Sequence, residues 1–350
     1  MALPSSGSIS LNQVNVELGN SGTASINMNS SAVRTLFGKS SGSISMSDGH
    51  GKSSGPTISQ LSGSRMLSMG GNSSGGTRNT EINYNSIASP SSTASDFGDI
   101  FQQAWGTSAT TNGSRVVIAV SSTGGSHNRM QYITASSTGN ASTFGNLTEY
   151  RGNNASATNG TRGIFAGGKI YSSIRNTIDH FTIASTGNAS DFGNLTVSKW
   201  QRSGVSSLTG RGVFGGGNSN TNVIDYITIS TNGNATDFGD LTAQRHSSSA
   251  MHNGTRGCFG GGGNSYLKSI DYITMASTGN ASDFGDLGFN RNGRAGTTNG
   301  TRGVSIGGFY YPPAASDNTV EYITVATTSN ATNHSDIRQP THYLGASSGT

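Results

Sequence analysis

From about residue 59 to the end, apolar and polar positions recur in a fixed order that no helical stripe produces. The segment "SIDYITMASTGNASDFGDL" (Ser269 to Leu287) has close copies at Val223 to Leu241 and Thr177 to Leu195. In each copy an alternating "IDYIT" run, suited to a strand packed on both faces, meets a Gly, Asn and Ser turn and then a Phe set before Gly. Three markers count the units. Phe97, Phe144, Phe192, Phe238 and Phe284 stand 47, 48, 46 and 46 residues apart, with a sixth, degraded unit "NHSDI" at His334. Tyr84, Tyr132, His180, Tyr226, Tyr272 and Tyr322 form the second series, and Arg65, Arg115, Arg162, Arg211, Arg256 and Arg302 the third. A period in the mid-forties that reads as four short strands predicts one propeller blade per unit, six in all. In the fifth unit the strands are expected near Ser247 to Asn253, Arg256 to Gly262, Ser269 to Ala276 and Asp283 to Leu287.

The two ends of this region complete one another. The chain stops at "HYLGASSGT" (His342 to Thr350), which matches the start of the next unit up to the residue before its marker Arg. The continuation, "GSRMLSMGGN" (Gly63 to Asn72), stands near the beginning. The C-terminus is therefore expected to supply the missing first strand of blade one, closing a ring and covering two strand edges. Residues 1–56 read differently: "SGSISLNQV", "TASINMNSSAV" and "SGSISMSD" repeat every 17 to 18 residues, counted from Ile9 to Ile26 to Ile44. Two of these continue into amphipathic segments that stop at Gly19 and Gly38, as helices do. The expected fold is all-β, a six-bladed propeller over residues 57–350 preceded by a small module over residues 1–56. So few large apolar residues give that module a marginal core on its own, so docking onto other proteins is expected of it, with self-association as an alternative.

A double Gly ending the second strand, an aromatic one residue after an acidic position in the third, and Arg opening the next unit together resemble the kelch type of β-propeller. The resemblance covers Ser59 to Thr350; Phe stands where kelch units carry Trp in the fourth strand. The wording "YITIASTGNASDFGDL" is similar to repeat proteins of tailed bacteriophages, and the Gly-Ser-Ile-Ser segments resemble those flanking receptor-facing modules of tail and fibre proteins. The resemblance implies a virion protein made in the host cytoplasm without a signal peptide, attached to other virion proteins through residues 1–56.

Composition changes the picture little. Only 31% of the chain is hydrophobic and 11% charged, with 52 Gly, yet aromatic and β-branched residues return at fixed offsets, unlike a disordered tract. The net charge of +4 comes from scattered basic residues, so nucleic acid is not an expected partner. No apolar run approaches a membrane span, and the single cysteine, Cys258, occupies a position where sister units carry Val213 and Ile164, that of a small buried hydrophobe. "DFG" recurs as a structural repeat without the other parts of a kinase site, and the "GGG" runs lack the following helix a phosphate cradle requires. Asn188, Asn234, Asn280 and Asn330 stand in sequons but at fixed turn positions. Histidines and acids show no metal-ligand spacing, so neither metal nor cofactor is expected. Catalysis on glycans would need carboxylates facing a pocket. Most acids occupy repeated strand positions, leaving Glu81, Glu149 and Asp317 as the free ones. No enzymatic activity is expected, with a glycan-processing enzyme as the lesser alternative.

What varies between units lies in two sets of connections that a propeller gathers on one face: those between the second and third strands, and those between blades. They hold both tryptophans and many aromatic and basic residues, in "FQQAWG", "EYR", "KWQR", "QRH", "FNRNGR", "RQPTHY", "KIYSSIR", "NSYLK" and "FYYPPAASDN". Aromatic faces stack on sugars and Arg forks grip anions. The candidate binding residues are Trp105, Tyr150, Arg151, Trp200, Arg202, Arg245, His246, Arg291, Tyr310, Tyr311 and Tyr343, and the expected ligand is a host-surface polysaccharide. The competing reading is that the Arg opening each blade is structural and the aromatics only fill loops. A purely architectural particle subunit would then suffice.

Overall fold

The structure is a computed structural model that describes residues 3–4, 6–18, 25–39, 41–49, 56–89, 93–121, 128–218, 221–312 and 314–350. It divides into two compact units, Met1–Pro56 and Thr57–Thr350. In the first unit, helices Leu11–Glu17 and Ser31–Phe37 precede a 3-10 turn at Met46–Gly49. The Ser30 hydroxyl accepts the Val33 N–H, and Gly38, at φ 70°, ends the second helix. The other expected stop, Gly19, lies outside the described residues. Leu3, Ile9, Val14, Val33, Leu36 and Phe37 form a small core, with Ile26 and Ile44 against it, so the three repeat isoleucines meet. No helix among the described residues is long and apolar enough to cross a membrane.

The second unit is a six-bladed β-propeller, each blade an antiparallel four-stranded sheet. Blade two shows the plan: Ser108–Thr111 lies innermost, followed by Arg115–Ala119, Arg129–Thr134 and Ser142–Asn146. Blade one takes its innermost strand, Gly345–Gly349, from the other end of the chain, pairing Met66 with Ser348 and Ser68 with Ala346. Its remaining strands are Arg65–Met69, Asn79–Ser86 and Ser95–Ala104.

Hydrophobic burial lies between blades. Leu67, Ile82 and Phe97 of blade one share a core with Val116, Ile118 and Ile133 of blade two, and Met66 and Ile87 join Val304, Ile306 and Val320 of blade six. The three sequence markers are contact partners. In five blades the marker Arg stacks on the Tyr of its own third strand, with Arg115 4.4 Å from the Tyr132 ring centroid and Arg256 4.3 Å from that of Tyr272. That Tyr meets the fourth-strand Phe edge-on, as in Tyr226 and Phe238 at 5.9 Å. Blade three keeps the order with His180 against Phe192, and blade six with Tyr322 against His334.

The same guanidinium then reaches into the next blade. Arg65 donates to the Ala135 carbonyl, Arg115 to Ala184, Arg162 to Ile229, Arg211 to Ala276, Arg256 to Ala326 and Arg302 to Ala88. The last of these closes the circle. A hydrogen bond from a charged donor contributes about 1.5–3 kcal/mol, and stacking on Tyr fixes the donor's direction. Beside it, the turn after the third strand pairs with the preceding blade's outer strand through Ala141, Ala189, Ala235, Ala281, Ala331 and, at the ring closure, Ala94. The sequon asparagines belong here: the side chains of Asn188, Asn234, Asn280 and Asn330 accept main-chain N–H groups of Asn146, Asn194, Asp240 and Asp286. The Gly after the marker Phe (Gly193, φ 141°; Gly239, φ 142°) faces the next turn's main chain so closely that a Cβ would collide with it.

Small residues, among them Ser156, Gly204, Ala250 and Gly296, line the axis. One end is stopped by a short helix, Ile58–Leu61, whose Ile58, Ser59 and Gln60 lie against the turn glycines Gly300, Gly113 and Gly160. The variable connections are more regular than expected. Blade three extends its middle strands to Ile170 and from Ser173, leaving a tight hairpin at Tyr171; Lys268 is in a strand, and Phe309–Tyr310 pairs with Ala315–Ser316 as an extra ribbon. Main-chain pairing carried past the blade edge satisfies polar groups that an open loop would leave to water.

Removal of residues 345–350 is expected to abolish cooperative folding, because it bares the Arg65–Met69 edge and removes the backing of the seam between blades six and one. Near-UV circular dichroism and size-exclusion chromatography check this, a monomer melting like the full chain being the contrary result.

Candidate functional site

Both sets of variable connections emerge on one face, where they are sewn together. The N–H of the second Gly in each pair donates to the following interblade segment: Gly71 to Ala104, Gly168 to Lys199, Gly217 to Arg245 and Gly308 to Thr341; in blade five, where the run is Gly260 to Gly263, Gly262 donates to Arg291. In blade two, Ser121 stands near this place and its carbonyl accepts from Trp105. The opposite face carries constant turns, in which Asn112, Asn159, Asn253 and Asn299 bond the N–H of the marker Arg three residues on.

Exposure separates the two faces. Among the described residues of the propeller the exposed large hydrophobics are Phe101, Tyr150, Tyr171, Val197, Phe289 and Tyr311; five lie in the variable connections, and Phe101 lies in the end of the Ser95–Ala104 strand that leads into one. Tyr171 is 74% exposed and Tyr311 64%. Of the candidate residues, Tyr150 and Tyr311 are thus open to solvent. Trp105, Trp200, Tyr310 and Tyr343 are half-buried, with the Lys169 ammonium 4.2 Å from the Trp200 ring centroid. His246 is buried, its Nε2 2.9 Å from Asn264 Oδ1.

The candidate arginines are withdrawn from the face. Arg151, Arg202 and Arg245 are buried, paired with Asp179, Asp225 and Asp271 of the third strand in their own blade. Arg294, which the sequence reading did not single out, pairs likewise with Glu321. Hydroxyls of Thr148, Thr196 and Thr242, leaving the preceding blade, complete three of these carboxylates. Burial pulls the Arg202, Arg245 and Arg294 guanidinium groups below the ordinary arginine value, against the pull of the facing carboxylate. In blades one and two the acidic position holds Asn83 and Gln131, and no Arg opens the blade. Acid and base are present together or absent together, as buried charge requires. Arg291 is also buried, bonded to Asp317 at 2.8 Å and lying 4.6 Å from the Phe289 ring centroid. All four of these arginines are thus buried and ion-paired within the frame.

The three acids left free by sequence are each engaged by a base: Glu81 with Arg338, Glu149 with Arg175 and Asp317 with Arg291. Among the described residues no group of three or more His, Cys, Asp or Glu side chains is placed to hold a metal ion. Cys258 is fully buried and its thiol is pushed up to about 12.

Two arrangements escaped the sequence reading. One is a string of rings across blades five, six and one: Tyr266 to Phe309 at 6.5 Å, Phe309 to His342 at 5.0 Å, His342 to Tyr343 at 4.9 Å, and Tyr343 to Trp105 at 5.8 Å. The other is a collar round the axis. At every junction the residue two before the innermost strand is left-handed: Gly106, Asn153, Gln201, Ser247, Gly293 and Tyr343, with φ between 53° and 68°. Their main chains join head to tail: Asn153 N–H donates to Gly106, Gln201 to Asn153, Ser247 to Gln201, Tyr343 to Gly293 and Gly106 to Tyr343, while Arg294 donates to Ser247. The collar rims a cavity of about 90 Å³. Its signal in sequence is register alone, since the six positions hold five residue types of which only Gly and Asn favour the left-handed region.

No protein-family model and no curated protein matches the chain.

Asp271→Ala, which strands the Arg245 charge in the interior, is expected to cost about 3–5 kcal/mol in denaturant unfolding. Acid should also weaken the fold. Burial holds His252 and His342 down to about 4, against 6.5 for the free side chain. The unfolded chain then binds protons that the native one refuses, so stability present at neutral pH falls as pH drops from about 6.5 toward 4, by roughly 3 kcal/mol for each. Melting temperature against pH, with His252→Gln flattening the slope, checks the sign.

Proposed function

We propose that this protein is a non-enzymatic virion component of a tailed bacteriophage whose propeller presents its variable face to polysaccharide on the host surface. The observation that carries this reading is the segregation of exposed aromatic side chains. Every large hydrophobic exposed among the described propeller residues belongs to the variable connections or, for Phe101, to the strand end leading into one, and the constant turns offer none. Solitary exposed hydrophobics are ordinary, but their gathering on one face marks a surface for contact. Tyr and Trp suit sugars because a rigid ring supplies an apolar face for C–H groups and a polar edge for hydroxyls. The phage origin is supported by the repeat wording and by the Gly-Ser-Ile-Ser segments of residues 1–56, which in this reading attach the propeller to other virion proteins.

A second reading has its own support. Among the described propeller residues each buried arginine is paired with a carboxylate, which is compatible with a purely architectural subunit whose aromatic face is covered by a neighbouring virion protein. One experiment separates them. The full-length protein, labelled and mixed with host cells, is expected to bind, to be competed by polysaccharide extracted from those cells, and to bind about tenfold more weakly as the triple variant Tyr150→Ala, Tyr171→Ala, Tyr311→Ala with unchanged melting. Absence of binding by the unaltered protein would favour the architectural subunit.

A further inference from the structure

The collar contains a choice that the frame does not require. Gly106 and Gly293 show that glycine serves at this position, yet Gln201, Ser247 and Tyr343 adopt the same left-handed conformation, which side chains of these types disfavour. Strain held at such positions belongs to sites where the side chain itself is needed.

Those side chains gather over the mouth. A Cβ on Gly106 would run into the Asn153 amide, and one on Gly293 into the Tyr343 ring and His342, so the neighbour's side chain covers each glycine. Tyr343 and Gln201 come from opposite junctions of the ring and both line the cavity. Tyr343 is half-buried there. It is also the meeting point of the ring string, with His342 on one side and Trp105 on the other. The remaining groups around the cavity are amides and hydroxyls, including Asn153, Ser203 and Ser247. The two arginines among the lining residues, Arg202 and Arg294, are already matched by Asp225 and Glu321. An aromatic plate ringed by neutral donors and acceptors, with no unmatched charge among the described lining residues, complements an uncharged ring bearing hydroxyl or acetamido groups. An acidic sugar would bring a charge with nothing to meet it.

We infer that the axial collar is a binding site for one uncharged sugar residue, stacked on Tyr343 and hydrogen-bonded by Asn153, Gln201 and Ser247, with the ring string supporting the adjoining part of the glycan. This rests on the polysaccharide-binding reading above and narrows it to a place and a ligand class.

The test uses the full-length protein with short oligosaccharides of neutral hexose and N-acetylhexosamine, and galacturonate oligosaccharides of the same length, followed by calorimetry. Neutral probes are expected to bind, with affinity little changed between about 0.1 M and about 1 M salt. Tyr343→Gly and Gln201→Gly, which install the residue two sister blades already use, are expected to weaken binding at least about tenfold while melting at or above the temperature of the unaltered protein. A structural role for these side chains predicts the reverse, lower melting with binding retained. Binding that survives both substitutions, loss of binding only in step with unfolding, or preference for the galacturonate probes would each overturn the inference. Host polysaccharide binding by the unaltered protein in those cases would leave the broader reading standing, whereas failure to bind host polysaccharide at all would remove both.

Discussion

The propeller depends on six arginines that each serve two blades. A four-stranded sheet with apolar residues on both faces cannot stand alone in water. It needs a neighbour on each side, and only a closed ring gives every blade two. The marker Arg stacks on a Tyr inside its own blade and spends its hydrogen bonds on main-chain carbonyls of the next. Orientation within the blade and spacing between blades are set by one side chain. The circle closes where Arg302 reaches Ala88 and where the C-terminal strand lies against Arg65–Met69.

This explains how much of the fold was legible. Arg, Tyr and Phe recur at fixed offsets because they form one stack, and a shift of any one would break contact with the other two. His180 and His334 replace members of the stack with another flat ring, which is why those units still count. The split first blade was legible because the halves of one unit stand at opposite ends of the chain. Residues 1–56 offered spacing and two helix stops, of which Gly38 ends the second helix while Gly19 lies outside the described residues.

The variable face was legible in outline; the burial of its arginines was not. Arg opening a blade looks like a binding group in one dimension, whereas its partner, the third-strand acid, is some 25 residues away and becomes visible only when the strands fold together, as Arg245 and Asp271 do. The clue was present: units lacking one lack the other, as Asn83 and Gln131 show. The collar had no such clue, because a left-handed backbone at Gln201, Ser247 and Tyr343 leaves no mark on residue choice. Tyr266, Phe309 and His342 were missed because their significance lies in meeting across three blades.

The reach of each marker Arg to a carbonyl carries one more consequence. A bond to the main chain asks nothing of the side chains next door, so this one contact would survive a change of neighbour. Genetic exchange of whole units would keep it while reshuffling the connections on the rim. The apolar residues and threonine hydroxyls at each seam would still have to fit, so exchange is freest between units that already share them.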